Sequence, residues 1–213
     1  MNTATTTTTT TITLSEGFFS RRTVFDWLFA LVVAAGGLYA FARYSQYMDV
    51  YEKGILFAAM PAAIWMGWFW RSTRVLMLVV TAVALMAIGA YQGELARADS
   101  VFWLKYFLSS QSAILWMSVL FVMSTMFYWF GMFGRGQSAT MEAIGSRLAW
   151  AAVGMALIGT LVRWYESYLL GPDIGHIPVS NLYEVFVLFC WLTTAFYLYF
   201  EQQYGTRSLG AFV

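Results

Sequence analysis

The only histidine in this chain of 213 residues lies in Gly175-His176-Ile177-Pro178-Val179-Ser180-Asn181-Leu182-Tyr183-Glu184, a polar segment set between two long apolar runs. Its imidazole reads in two ways, as a ligand to a metal or as a loop histidine bonded to backbone or water. A metal site needs several ligands, and one histidine without paired cysteines cannot close one by itself. The groups that follow also have two readings. Asn181 is a favourable N-cap, and Glu184 three residues later completes a capping box at the positive end of a helix dipole. Alternatively, Ser180, Asn181, Tyr183 and Glu184 supply hydroxyl, amide, phenol and carboxylate groups able to line a polar rim. Upstream, Arg163 and Glu166 share a helical face and can pair if their helix continues that far, with Trp164 beside them.

The elements that position these groups follow from composition. The chain is 60% hydrophobic and 11% charged, against about 25% charged residues in ordinary soluble domains. Crossing a bilayer takes roughly 20 apolar residues per helix. Six runs approach that length: about Val24 to Phe41, Gly54 to Trp70, Val75 to Tyr91, Ala113 to Gly134, Leu148 to Trp164 and Leu182 to Phe200. The fold class expected is all-α, a polytopic integral membrane protein. A net charge of +1 leaves no basic face for nucleic acid.

With six spans, Arg21, Arg22, Arg71, Arg74, Arg135, Arg147 and Arg207 fall on one side, and Arg43, Lys53, Arg97, Lys105 and Arg163 on the other. Short connections such as Arg71-Ser72-Thr73-Arg74 weigh most in the positive-inside rule, so both termini are expected to be cytoplasmic. The outer loops then lie near residues 44–53, 92–110 and 165–181. Residues 1–23, rich in Thr, read as a disordered cytoplasmic N-terminus; 24–200 form the membrane domain, and 201–213 a C-terminal segment whose apolar ending reads as the first turn of a further span.

In the second outer loop, Val101 to Leu108 is apolar and aromatic but too short to span. It fits a helix lying in the interface with Lys105 snorkelling outward, or a segment buried against other helices. Trp68-Phe69-Trp70, Tyr128-Trp129-Phe130 and Trp164-Tyr165 read as interfacial belts, Gly36, Gly37, Gly154 and Gly159 as close-packing positions, and Cys190 as a small packing residue within its helix. In the third outer loop Gly171 and Pro172 end a helix, and Pro178 biases Ile177 toward extended backbone.

Arg163-Trp164, followed by Gly175-His176-x-Pro178-x-Ser180-Asn181-x-Tyr183-Glu184 and an apolar span containing Trp191, resembles the cytochrome c assembly family of the CcsA, ResC and CcsB type. The resemblance implies a haem-handling membrane subunit of a holocytochrome c synthase in the bacterial inner membrane. Its partners would be a ResB-type membrane protein and apocytochrome c, whose thiols react with haem at the outer face. Arg163, Trp164, His176, Ser180, Asn181, Tyr183 and Glu184 would then shape the rim of a haem chamber, with Arg163 near a propionate. The family's Trp-Gly-x-x-Trp-x-Trp-Asp segment and its flanking histidines have no counterpart here. The chain therefore reads as an N-terminal portion without synthase activity of its own, and His176 inherits no axial-ligand role. Two other classes fit the composition: a transporter, weakened by the scarcity of charge inside the spans, and a structural anchor for a partner.

Overall fold

The computed structural model describes residues 22–134, 138–171 and 174–212. The Thr-rich segment expected to be disordered lies, up to residue 21, outside the described residues, as do Arg135 and Pro172. All regular structure among the described residues is helical, and the chain divides into two compact units, 1–71 and 72–213.

In the first unit α1 (Val24–Tyr44) packs on α2 (Val50–Phe69). Each begins with a reciprocal capping box, which satisfies backbone donors that a helix start otherwise leaves open. Thr23 Oγ1 accepts from the Asp26 N–H while Asp26 Oδ2 accepts from the Thr23 N–H at 2.7 Å. Asp49 and Glu52 repeat the pattern at 2.7 and 3.1 Å. Trp68 does more than belong to a belt. Its Nε1 donates to the Asp26 carbonyl at 2.9 Å, its own carbonyl accepts from Arg22, and the Arg22 guanidinium lies over its ring. The end of α2 is thereby fastened to the start of α1.

The second unit holds α3 (Ser72–Tyr91), a one-turn α4 (Arg97–Ser100), a π-helical turn (Leu104–Leu108), α5 (Ser110–Phe133), α6 (Ser138–Leu170) and α7 (Leu182–Tyr204). The α5–α6 seam runs antiparallel: Tyr128 lies against Gly145 near one end, and Ala113 and Ile114 against Gly159 near the other. A Cβ on Gly159 would sit 3.0 Å from Ile114 and 3.2 Å from Ala113, whereas one on Gly154 would meet only ordinary contact with Leu76. Of the expected close-packing glycines, Gly37 and Gly159 stand where a Cβ would press on a neighbour, Gly37 on Met60 and Gly159 on Ile114 and Ala113, while Gly36 has open space and Gly154 only ordinary contact. Val80, Ala87, Tyr91, Leu104, Ile158 and Val162 join α3, α6 and the π-helical turn in one core. Ile114, Met117, Ala156 and Val187 bring in α7.

Five helices, α1, α3, α5, α6 and α7, are long and apolar enough to cross a membrane, so the chain is a multi-pass membrane protein. Of the six expected spans, α2 falls outside this set: Glu52 and Lys53 occupy its first turn, and Pro61 lies inside it. The α6 helix starts at Ser138 rather than near Leu148 and has 33 residues. At 1.5 Å per residue it is about 50 Å long, well beyond a hydrocarbon core of about 30 Å, so part of it extends past the apolar layer.

The segment Val101–Leu108 combines the two readings left open. Leu104 is fully buried in the helical core, while Phe102, Trp103 and Tyr106 are exposed. Trp116 Nε1 holds the turn by donating to the Tyr106 carbonyl at 2.8 Å. Cys190 corrects the packing reading, since its side chain is exposed. Residues 208–212 form successive turns against α5, where Trp129 Nε1 donates to the Ala211 carbonyl at 2.8 Å.

The seam makes Gly159→Val a sharp test of packing. We expect a loss of about 1–3 kcal/mol, read as a lower unfolding temperature of the detergent-purified protein, with Gly154→Val much closer to the parent.

Candidate functional site

At the end of the second unit where α3 and α6 finish and α5 and α7 begin, Glu184 is buried, with 4% of its surface exposed. It occupies the first turn of α7, where Asn181 Oδ1 accepts its N–H at 2.9 Å. The N-cap expected at Asn181 is therefore present. The reciprocal half of the box is displaced by one residue: Glu184 Oε2 accepts from the Ser180 N–H at 3.0 Å and from Ser180 Oγ at 3.2 Å, not from the Asn181 N–H. The other oxygen, Oε1, lies 3.3 Å from Arg163 Nε and 3.7 Å from His176 Nε2.

His176 faces the protein through both ring nitrogens, because Nδ1 is 2.7 Å from the Ile174 carbonyl. Its backbone is held as well. Ser167 Oγ stands 3.2 Å from both the N–H and the carbonyl of His176, and donates to the Trp164 carbonyl at 2.7 Å. Gly175 permits this docking, since a Cβ there would lie 2.2 Å from the Tyr168 ring. The loop is thus pinned to α6 by Ser167 and to α7 by Glu184.

The pairing of Arg163 with Glu166 does not form, although α6 continues through both. Arg163 turns to Glu184 instead. Glu166, with 6% of its surface exposed, accepts from the Tyr91 hydroxyl, the Ser110 hydroxyl and, at 3.0 Å, the Ser110 N–H. Those donors come from α3 and α5, and they leave the carboxylate no need of a guanidinium.

Of the expected site residues, Arg163, His176, Ser180, Asn181 and Glu184 come together. Tyr183 lines a narrow crevice with Thr160, Arg163 and Pro178. Trp164 does not join them: it lines an apolar groove with Thr81, Leu85 and Tyr168, and its buried Nε1 has no hydrogen-bond partner among the described residues.

Sequence reasoning passed over a second buried carboxylate system at the opposite end. Glu201 accepts from the Tyr128 and Tyr197 hydroxyls, both at 2.7 Å, and from Arg207 Nε at 3.1 Å. The usable signal was Tyr197 four residues before a lone glutamate, a spacing that places both on one helical face. Among the described residues no group of three or more His, Cys, Asp or Glu is arranged to hold a metal ion.

Over 92 residues the chain is 27% identical to cytochrome c biogenesis protein CcsA of Chlorella vulgaris. The likeness covers 43% of this chain and 27% of that protein, so only about a quarter of the relative's length is spanned. No protein-family model matches, and no solved structure matches.

Replacing Glu184 by Ala strands Arg163 and the Ser180 N–H together. Hydrogen bonds to a charged group are worth about 1.5–3 kcal/mol, so a destabilisation of about 2 kcal/mol is expected. Hydrogen exchange read by mass spectrometry should show faster exchange across residues 174–184, with the rate at mid-α5 unchanged.

Proposed function

We propose that the chain is a membrane component of cytochrome c biogenesis, acting at the outer face of a bacterial inner membrane with haem, a ResB-type partner and apocytochrome c. The observation that carries this reading is the 92-residue likeness to a cytochrome c biogenesis protein. It agrees with the resemblance carried by Gly175 to Glu184, the segment whose groups gather around one buried carboxylate. In this reading α2 is the sixth span, both termini are cytoplasmic, and the Glu184 end of the bundle faces outward.

The gathered residues fit a brace better than an iron site. His176 bonds the Ile174 carbonyl through Nδ1 and holds Nε2 3.7 Å from the Glu184 carboxylate, and no second histidine exists in the chain. Ligands to haem iron therefore come from outside this set. Haem, when bound to the assembly, supplies the vinyl groups that apocytochrome thiols attack. This chain's own residues hold the outer loop: Ser167 fixes the backbone of His176, Asn181 starts α7, and Glu184 joins Ser180, His176 and Arg163. A rim fixed in this way presents one surface to its partners, which lowers the ordering cost of assembly.

The test is maturation of a reporter cytochrome c by the assembled system. With His176, Asn181 and Glu184 all replaced by Ala, holocytochrome yield should fall at least about tenfold while the chain remains in the membrane. Normal yield from the triple variant would remove these residues from the function, and yield independent of the whole chain would remove the function itself.

A further inference from the structure

Next to the Glu184 group, and distinct from it, a cleft of about 550 Å³ opens between the 95–112 segment and α6. That volume suits a ligand or headgroup of modest size. Asp99, Lys105, Gln111, Arg163 and Glu166 supply the chemistry of its lining, with Ser109, Ser110 and Ser112 between them. Much of this chemistry is already engaged. Glu166 is satisfied by Tyr91 and Ser110, Ser112 Oγ donates to the Lys105 carbonyl, and the Ser112 N–H goes to Ser109 Oγ.

What is left over has a definite pattern. Among the described residues Lys105 has no carboxylate partner, its ammonium lying 5.8 Å from the Tyr106 ring centroid. Arg163 uses Nε on Glu184, and its two terminal amino groups have no hydrogen-bond partner among the described residues. Asp99 has no ion-pair partner among the described residues. Among the described residues the cleft lining thus includes one cation, Lys105, and one carboxylate, Asp99, without a charged partner, and an arginine that pairs with Glu184 through Nε alone.

Its position restricts the ligand further. Tyr91 closes α3 and Ser110 opens α5, so the cleft sits where two apolar spans end, at the level of lipid headgroups. On the same segment Phe102, Trp103 and Tyr106 are exposed, the residue types that settle at a membrane interface.

We propose that this cleft is a binding site for a phosphatidylethanolamine headgroup. The phosphate is met by Lys105 and the terminal amino groups of Arg163, and the primary ammonium by Asp99. A lipid bearing phosphate alone leaves Asp99 unanswered. A choline headgroup carries the charge but no N–H to donate. The assignment does not depend on the cytochrome c reading, although Arg163 takes part in both.

The experiment adds back phosphatidylethanolamine, phosphatidylglycerol or phosphatidylcholine of identical acyl chains to the delipidated, detergent-purified chain, and follows retention by native mass spectrometry. Phosphatidylethanolamine should be retained about tenfold more strongly than either alternative, the scale of one charge-assisted hydrogen bond. Asp99→Asn should erase the preference over phosphatidylglycerol, and Lys105→Gln should weaken both lipids. Both positions are exposed, and circular dichroism verifies that the variants remain helical. Equal retention of the three lipids, or a preference unchanged in Asp99→Asn, overturns the proposal. Competition by water-soluble glycerophosphoethanolamine at concentrations equal to the lipid's overturns the lipid assignment in favour of a soluble phosphoamine.

Discussion

Glu166 belongs to α6, yet its carboxylate is satisfied by a tyrosine from α3 and a serine at the start of α5. A carboxylate withdrawn from water costs several kcal/mol unless donors surround it. Apolar packing among helices in lipid gains no hydrophobic driving force and tolerates sliding. Three donors from two other helices tolerate very little, because they must arrive together. Glu184 imposes the same condition on α6 and α7, and Glu201 imposes it on α5 and α7 at the opposite end. Register in this bundle is therefore set by buried carboxylates at its two ends, and the alanine- and glycine-rich α5–α6 seam fills the space between them.

The same condition explains which features were legible in the sequence. Long apolar runs locate helices, since length and hydropathy are local properties, and the Asn181 cap was legible because capping acts within three residues. Glu166 was misassigned for the complementary reason. The i to i+3 rule sees Arg163, but the donors that win are 75 and 56 positions away, and no local pattern announces them. Tyr128 and Trp68 show a related effect. Both stand in aromatic clusters at span ends, where a belt is the natural reading, and both are taken up by hydrogen bonds to another helix. Among residues of one amphipathic type, the partner decides the role.

Loop docking followed a rule that sequence holds only in part. Gly175 is small because the Tyr168 ring lies where a Cβ would be, and that ring belongs to a turn of α6 that sequence reading had given to the loop. Once α6 is extended to Leu170, Ser167 and Tyr168 become a surface on which the His176 backbone rests. The histidine that drew attention by being alone in the chain is thus held chiefly through its main chain, and its ring bonds follow from where that main chain is placed.

Arg163 connects the two halves of this end. Its Nε serves the buried Glu184, and the residue also lines the cleft together with Lys105. A guanidinium is a planar fork with five donors, so it can serve two acceptors in different directions; an ammonium on a flexible stem acts as a point charge. Lysine at this position would have to choose between the loop and the cleft. The carboxylate that holds the 174–181 loop and any anion in the cleft therefore draw on one cation while using different donors. A ligand that bonded the guanidinium from the cleft would also fix the Nε on which the loop depends, so loop order and cleft occupancy would be linked through a single side chain, with each favouring the other.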